Sequence, residues 1–133
     1  AIVALDEDNN VILVTQYRYA FGKELLEIPA GKLDKGEDPW NCALRELKEE
    51  TGLIPGELLP LGESYSSPGF CTEVIHLYLA RYLEQSEATP DEDEFLSVKR
   101  MPFDELVEMI LNHEVQDSKT VIAVLKAKLL LGL

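Results

Sequence analysis

Hydrophobic and polar positions alternate along the chain in short blocks. Ala1 to Leu5 and Val11 to Tyr17 are aliphatic and β-branched runs around Asp6-Glu7-Asp8-Asn9-Asn10, a pattern that predicts a hairpin. Leu25 to Ile28 predicts a short strand stopped by Pro29, and Ala30 to Gly36 a loop with a glycine near each end. The clearest helix follows. Asp38 is placed to cap it, Pro39 suits its first position and Gly52 its end. Trp40, Ala43, Leu44 and Leu47 recur at i, i+3, i+4 and i+7, which predicts one core-facing stripe.

Leu58 to Tyr65 and Val74 to Leu83 predict two more strands, separated by the turn Ser66-Ser67-Pro68-Gly69-Phe70. A polar, acidic loop is expected over Gln85 to Glu94, then a last strand over Phe95 to Met101. Helices are expected from Pro102 to Ile110 and from Ser118 to Leu131. Strands interleaved with helices predict an α/β (α+β) layered sandwich around a mixed sheet. With 133 residues and 46% apolar positions, residues 1–133 are expected to form one domain with its own core. The chain starts Ala-Ile-Val without an initiator Met, so a preceding N-terminal segment is expected.

Charge narrows the partners. Acids outnumber bases 25 to 12, giving a net charge of −13. Such a field repels nucleic acid and anionic membranes unless bound cations reverse it locally, so neither is an expected partner. No apolar run is long enough to cross a bilayer. Cys42 and Cys71 make no zinc spacing, and both are expected to be small buried residues in a reducing, cytoplasmic compartment.

The helix carries the candidate chemistry. Glu46, Glu49 and Glu50 stand at i, i+3 and i+4 and share a face turned away from the apolar stripe. Like charges at that spacing cost a few tenths of a kcal/mol. Carboxylates in the last turn also oppose the helix dipole, by roughly 0.3–1 kcal/mol each. Arg45 and Lys48 offset part of this, and Arg45 reaches Glu49 at i+4. The triplet alone fits either a solvated acidic face or a site for Mg²⁺ or Mn²⁺, hard cations that take oxygen ligands and keep waters.

The surrounding spacing separates the two. Gly31, Glu37, Arg45-Glu46-Leu47, Glu49-Glu50 and Gly52-Leu53 fit G-x5-E-x7-R-E-U-x-E-E-x-G-U, with U a bulky aliphatic, at every constrained position. This resembles the signature of the Nudix hydrolases, which cleave a nucleoside diphosphate linked to another moiety. Gln16-Tyr17-Arg18, Leu26-Glu27-Ile28-Pro29-Ala30-Gly31 and a proline fifteen residues beyond the signature, Pro68, are similar to the ADP-ribose pyrophosphatase branch.

The resemblance implies a Nudix fold, an α-β-α sandwich with a mixed sheet. It implies hydrolysis of ADP-ribose to AMP and ribose 5-phosphate, with Mg²⁺ or Mn²⁺ as cofactor. The Ala30 carbonyl, Glu46 and Glu50 match metal-ligand positions, with Glu49 bridging to additional metal. Arg18 matches a position that holds the substrate's phosphates or ribose, and Ser67, Pro68, Gly69 and Glu73 match a substrate-contacting loop. The acidic run Pro90 to Glu94 matches the loop that supplies the general base, and Glu92 is the expected base. Glu94 is expected as a further metal ligand, and Asp93 or Glu94 stand as alternative bases. The branch also implies a homodimer with an exchanged N-terminal region. Another nucleoside diphosphate sugar such as GDP-mannose, or a non-catalytic ADP-ribose-binding module, remain alternative readings.

Overall fold

The structure is a computed structural model describing residues 1–86 and 98–133. Among the described residues the strands run in order as β1 (Ile2–Ala4), β2 (Asn10–Arg18), β3 (Lys23–Glu27), β4 (Leu53–Tyr65), β5 (Val74–Gln85) and β6 (Val98–Pro102). The helices among the described residues are α1 (Pro39–Thr51), α2 (Phe103–Leu111) and α3 (Ser118–Leu131). One sheet has the order β1-β5-β4, with β1 parallel and β4 antiparallel to β5. The other has the order β3-β2-β6 and is antiparallel throughout.

Strand alternation divides the core into two layers. Val3, Val11 and Leu13 pack with Phe103, Leu106, Ala123 and Val124 of α2 and α3. Ile2, Ala4 and Ile12, one residue out of phase, pack with Ala43 and Leu47 of α1. The sheets thus lie between α1 on one face and α2 and α3 on the other, the expected α-β-α sandwich.

The predicted hairpin is corrected. Asp6 Oδ1 does accept from the amides of Asp8 and Asn10, so the turn forms. Only a single Leu5–Val11 bridge joins the two runs, however, and β1 pairs along its length with β5. Ile2, Val3 and Ala4 are all essentially buried, so β1 needs neighbours on both faces, and it links the two sheets. β4 begins five residues earlier than predicted, at Leu53. Pro55, Gly56 and Pro60 disguise it in sequence, yet β4 is an edge strand, where prolines cost no ladder bond on the open side. β3 runs two residues ahead of its expected start, and the first part of the predicted last strand lies outside the described residues.

α1 is built as its sequence requires. Asp38 accepts from the Asn41 amide at 2.9 Å, Pro39 opens the helix, and Gly52 closes it at φ 75° with its amide on the Lys48 carbonyl. The stripe is narrower than expected. Ala43 and Leu47 are buried, but Trp40, in the first turn, is half-exposed and sets only a ring edge against Tyr78 at 6.0 Å. The cysteines also divide. Cys42 is buried, whereas Cys71 is exposed in the loop after β4. No described helix is long and apolar enough to cross a membrane.

Candidate active site

The loop from β3 to α1 folds back over the helix because Arg45 stitches the two together. Its Nε and Nη2 donate to the two oxygens of Glu37 at 2.8 and 2.9 Å. Nη2 also reaches the Lys32 carbonyl at 3.0 Å, and Nη1 donates to Glu46 at 2.9 Å and Glu49 at 3.1 Å. Arg45 holds the Glu37 carboxyl down at about 2, aided by the Asp34 amide. Helical spacing alone predicts only the Arg45–Glu49 contact and assigns no partner to Glu37. The constrained Glu and Arg of the signature are therefore a fastening between loop and helix, and the same guanidinium screens the crowded carboxylates.

Glu46 sits deeper than Glu49, with its side chain 14% exposed against 55%. Burial raises the Glu46 carboxyl above its ordinary range, while the Arg45 charge pulls it back. Its carboxylate lies against the backbone of Gly31. A Cβ at residue 31 would meet Glu46 Cδ at 1.9 Å and both carboxylate oxygens within 2.3 Å. The glycine is required here for space, not for a left-handed turn. Glu50 is half-buried rather than surface-facing.

These groups border a cleft of about 600 Å³. Of the predicted site residues, Arg18, Ala30, Glu46 and Glu73 line it. Glu49, Glu50, Ser67, Pro68 and Gly69 are not on its wall. The wall there is formed instead by Ser66, whose hydroxyl donates to Glu73 at 2.7 Å. Glu92 and Glu94 lie outside the described residues.

Three residues at the cleft escaped the sequence reading as site residues. Glu27, buried beneath Arg18, accepts from its Nε and Nη2 at 2.8 and 2.7 Å and from Lys119 at 2.7 Å. Lys119 in turn contacts Asp117, and both line the cleft. Burial would raise the Glu27 carboxyl, but the bonds from Arg18 and Lys119 win and hold it below the usual range. A glutamate amid the apolar run Leu25 to Ile28 was the available signal.

Among the described residues, no three acidic, His or Cys side chains converge closely enough to enclose a metal ion. The donor set still fits a hard divalent cation. Glu46 and Ala30, both on the cleft wall, offer carboxylate and carbonyl oxygens, and Glu46 is lodged in a cradle that a Cβ at residue 31 would fill.

The family model for the NUDIX domain matches residues 1–124. The chain belongs to the Nudix family. An ADP-ribose pyrophosphatase of Bacillus subtilis is 39% identical over 126 residues, spanning 93% of this chain and 68% of that protein. A methanol dehydrogenase activator of Bacillus methanolicus is 47% identical over the same share of each chain. A GDP-mannose pyrophosphatase of Shigella flexneri is 41% identical over 122 residues, spanning 85% of this chain and 63% of that protein. The solved structure of an ADP compounds hydrolase has a TM-score of 0.84 at 23% identity, covering 98% of this chain and 71% of its own, a likeness of fold. Nudix hydrolases generally use divalent metal ions, which suits the Glu46 carboxylate on the wall of this cleft.

Proposed function

We propose that this Nudix hydrolase cleaves ADP-ribose to AMP and ribose 5-phosphate with Mg²⁺ or Mn²⁺. The observation that carries the reading is the Glu46 carboxylate, lodged against Gly31 on the wall of a cleft that Arg18 also lines. The Bacillus subtilis relative, named for that activity, supports the choice of substrate.

The Ala30 carbonyl, Glu46 and Glu50 hold the metal in this reading, with Glu49 and Glu94 serving additional ions. A divalent ion held there neutralises the diphosphate and acidifies a water. Arg18 binds the phosphates or ribose through its planar donor fork. Ser67, Pro68, Gly69 and Glu73 belong in this reading to a substrate-contacting loop, of which Glu73 lines the cleft. Glu92 takes the proton from the attacking water, a contribution worth about 10²–10⁴-fold in such reactions. The water oxygen bonds to one phosphorus, and the bridging oxygen departs with the other phosphate. The reading extends to a homodimer in the cytoplasm, supported by the resemblance to the branch and by two cysteines that make no paired framework.

GDP-mannose is the second reading, favoured by the 41% identity to the Shigella flexneri relative. Product release from a panel of nucleoside diphosphate sugars, with Mg²⁺, Mn²⁺ and a chelated control, decides between them. Metal-dependent AMP release from ADP-ribose is expected. Faster GMP release from GDP-mannose overturns the substrate, and tight binding without release overturns the enzyme. Sedimentation at low concentration tests the dimer.

A further inference from the structure

We propose that Glu27 and Lys119 are positioning residues that aim Arg18 at the phosphates of the substrate. This rests on the proposed reading of the cleft as a nucleoside diphosphate site. Glu27 closes β3 opposite Val14, and Arg18 lies four residues further along β2. That even spacing puts the two side chains on one face of the sheet. Both oxygens of Glu27 are used: Oε2 by Arg18 Nε, and Oε1 by Arg18 Nη2 and Lys119 Nζ.

The gradient of burial gives the arrangement its direction. The Glu27 side chain is 2% exposed, Lys119 12% and Arg18 45%. The guanidinium is thus gripped along one edge by a buried carboxylate while the rest of it faces the cleft. A free arginine must freeze several rotors to bind a phosphate, and a two-point grip removes that cost beforehand. Lys119 fixes the grip from the far side. Its ammonium donates to Glu27 and to both oxygens of Asp117, at 2.7, 3.0 and 3.0 Å. Asp117 caps α3 through Thr120, whose hydroxyl accepts from the Ile28 amide at 3.0 Å. The start of α3 is thereby clamped to the end of β3, and Glu27 is held on both sides.

A purely structural ion pair would tie α3 to the sheet without affecting ligand binding through Arg18. A double-mutant cycle separates the two. Glu27→Gln keeps the shape and removes the charge, and it is made in the wild-type and Arg18→Ala backgrounds. KM for ADP-ribose, kcat, ADP binding by calorimetry and thermal unfolding are measured for each. In the wild-type background, KM and the ADP dissociation constant are expected to rise about tenfold, more than kcat falls, a coupling within the range of contacting pairs. In the Arg18→Ala background the same change leaves both constants where they were.

Equal shifts in the two backgrounds, or a lowered unfolding temperature with KM unmoved, overturn the proposal. Should Glu27→Gln fail to fold, Lys119→Met at the cleft wall carries the same cycle with the same expectation. A wild-type chain that binds ADP without cleaving ADP-ribose refutes the proposed function, yet the binding arm still reads the cycle. A chain that binds no ADP refutes both.

Discussion

Gly31 and Glu46 occupy what is nearly one position in space: a methyl group on the first would fall 1.9 Å from the carboxyl carbon of the second. The obstructed atoms are the end of a flexible side chain, so a clash there is relieved by moving the carboxylate. Gly31→Ala is therefore expected to leave thermal unfolding within a few degrees of wild type while turnover falls about 10²-fold, the scale of an ångström's misplacement at a reacting centre. Large unfolding with the residual folded fraction fully active would mean that the glycine serves the loop and not the site.

Arg45 and Glu37 set a pH dependence. Glu37 keeps its charge down to about 2 in the folded chain, against an ordinary 4.5. The pair's contribution to stability is complete above the ordinary value and is lost as pH falls from there to about 2. The difference in unfolding temperature between wild type and Glu37→Gln is expected to be steady near neutrality and to close across that acid window. Added salt should shrink it only slightly, because both side chains are mostly covered and the pair is poorly screened. A difference that persists at the acid end removes the ion pair as its cause.

Much of this fold was legible because its signals are local. Asp38, Pro39 and Gly52 delimit α1 in sequence, and the structure uses Asp38 and Gly52 for the capping bonds and Pro39 at the first helical position. The whole of α3 was likewise readable from its apolar content, Ser118 to Leu131. What escaped depends on partners distant in sequence. The parallel pairing of β1 with β5 joins residues 76 positions apart, and no turn announces it. The prolines of β4 argue against a strand until its edge position is known. At the site, the signature located Glu46, but the Arg18–Glu27–Lys119 grip spans 92 residues between its acid and its lysine. Spacing rules reach along one helix, not across a cleft.

Glu46 opposes stability and function. Burial raises its carboxyl, so above the ordinary value the folded chain carries a charge that it holds less readily than the unfolded chain does. That penalty is absent at low pH and grows as pH rises through the ordinary and then the folded value. Without metal, Glu46→Gln is expected to unfold a few degrees above wild type near neutral pH and to converge with it in acid. With Mg²⁺ the order is expected to reverse if Glu46 holds the ion as proposed, because the variant would lack a ligand that ties it to the folded state. Glu50→Gln should likewise lose most turnover with its fold intact. A Glu46→Gln chain that still gains stability from Mg²⁺ takes Glu46 out of the metal site.

The acidic run from Asp91 to Glu94 divides by chemistry. A base that removes a proton from water needs its negative charge but not a metal bond, whereas a ligand needs both its charge and its reach. Glu92→Gln is accordingly expected to lower kcat by about 10²–10⁴-fold while the Mg²⁺ concentration for half-maximal activity stays put. The acid limb of the pH–rate profile should disappear with it, because the group whose ionisation shapes that limb is gone. Glu94→Gln is expected to do the opposite, raising the Mg²⁺ requirement and restoring rate at high metal. If the two variants exchange these phenotypes, Glu94 is the base and Glu92 the ligand; if Asp93→Asn alone removes the acid limb, the base lies between them.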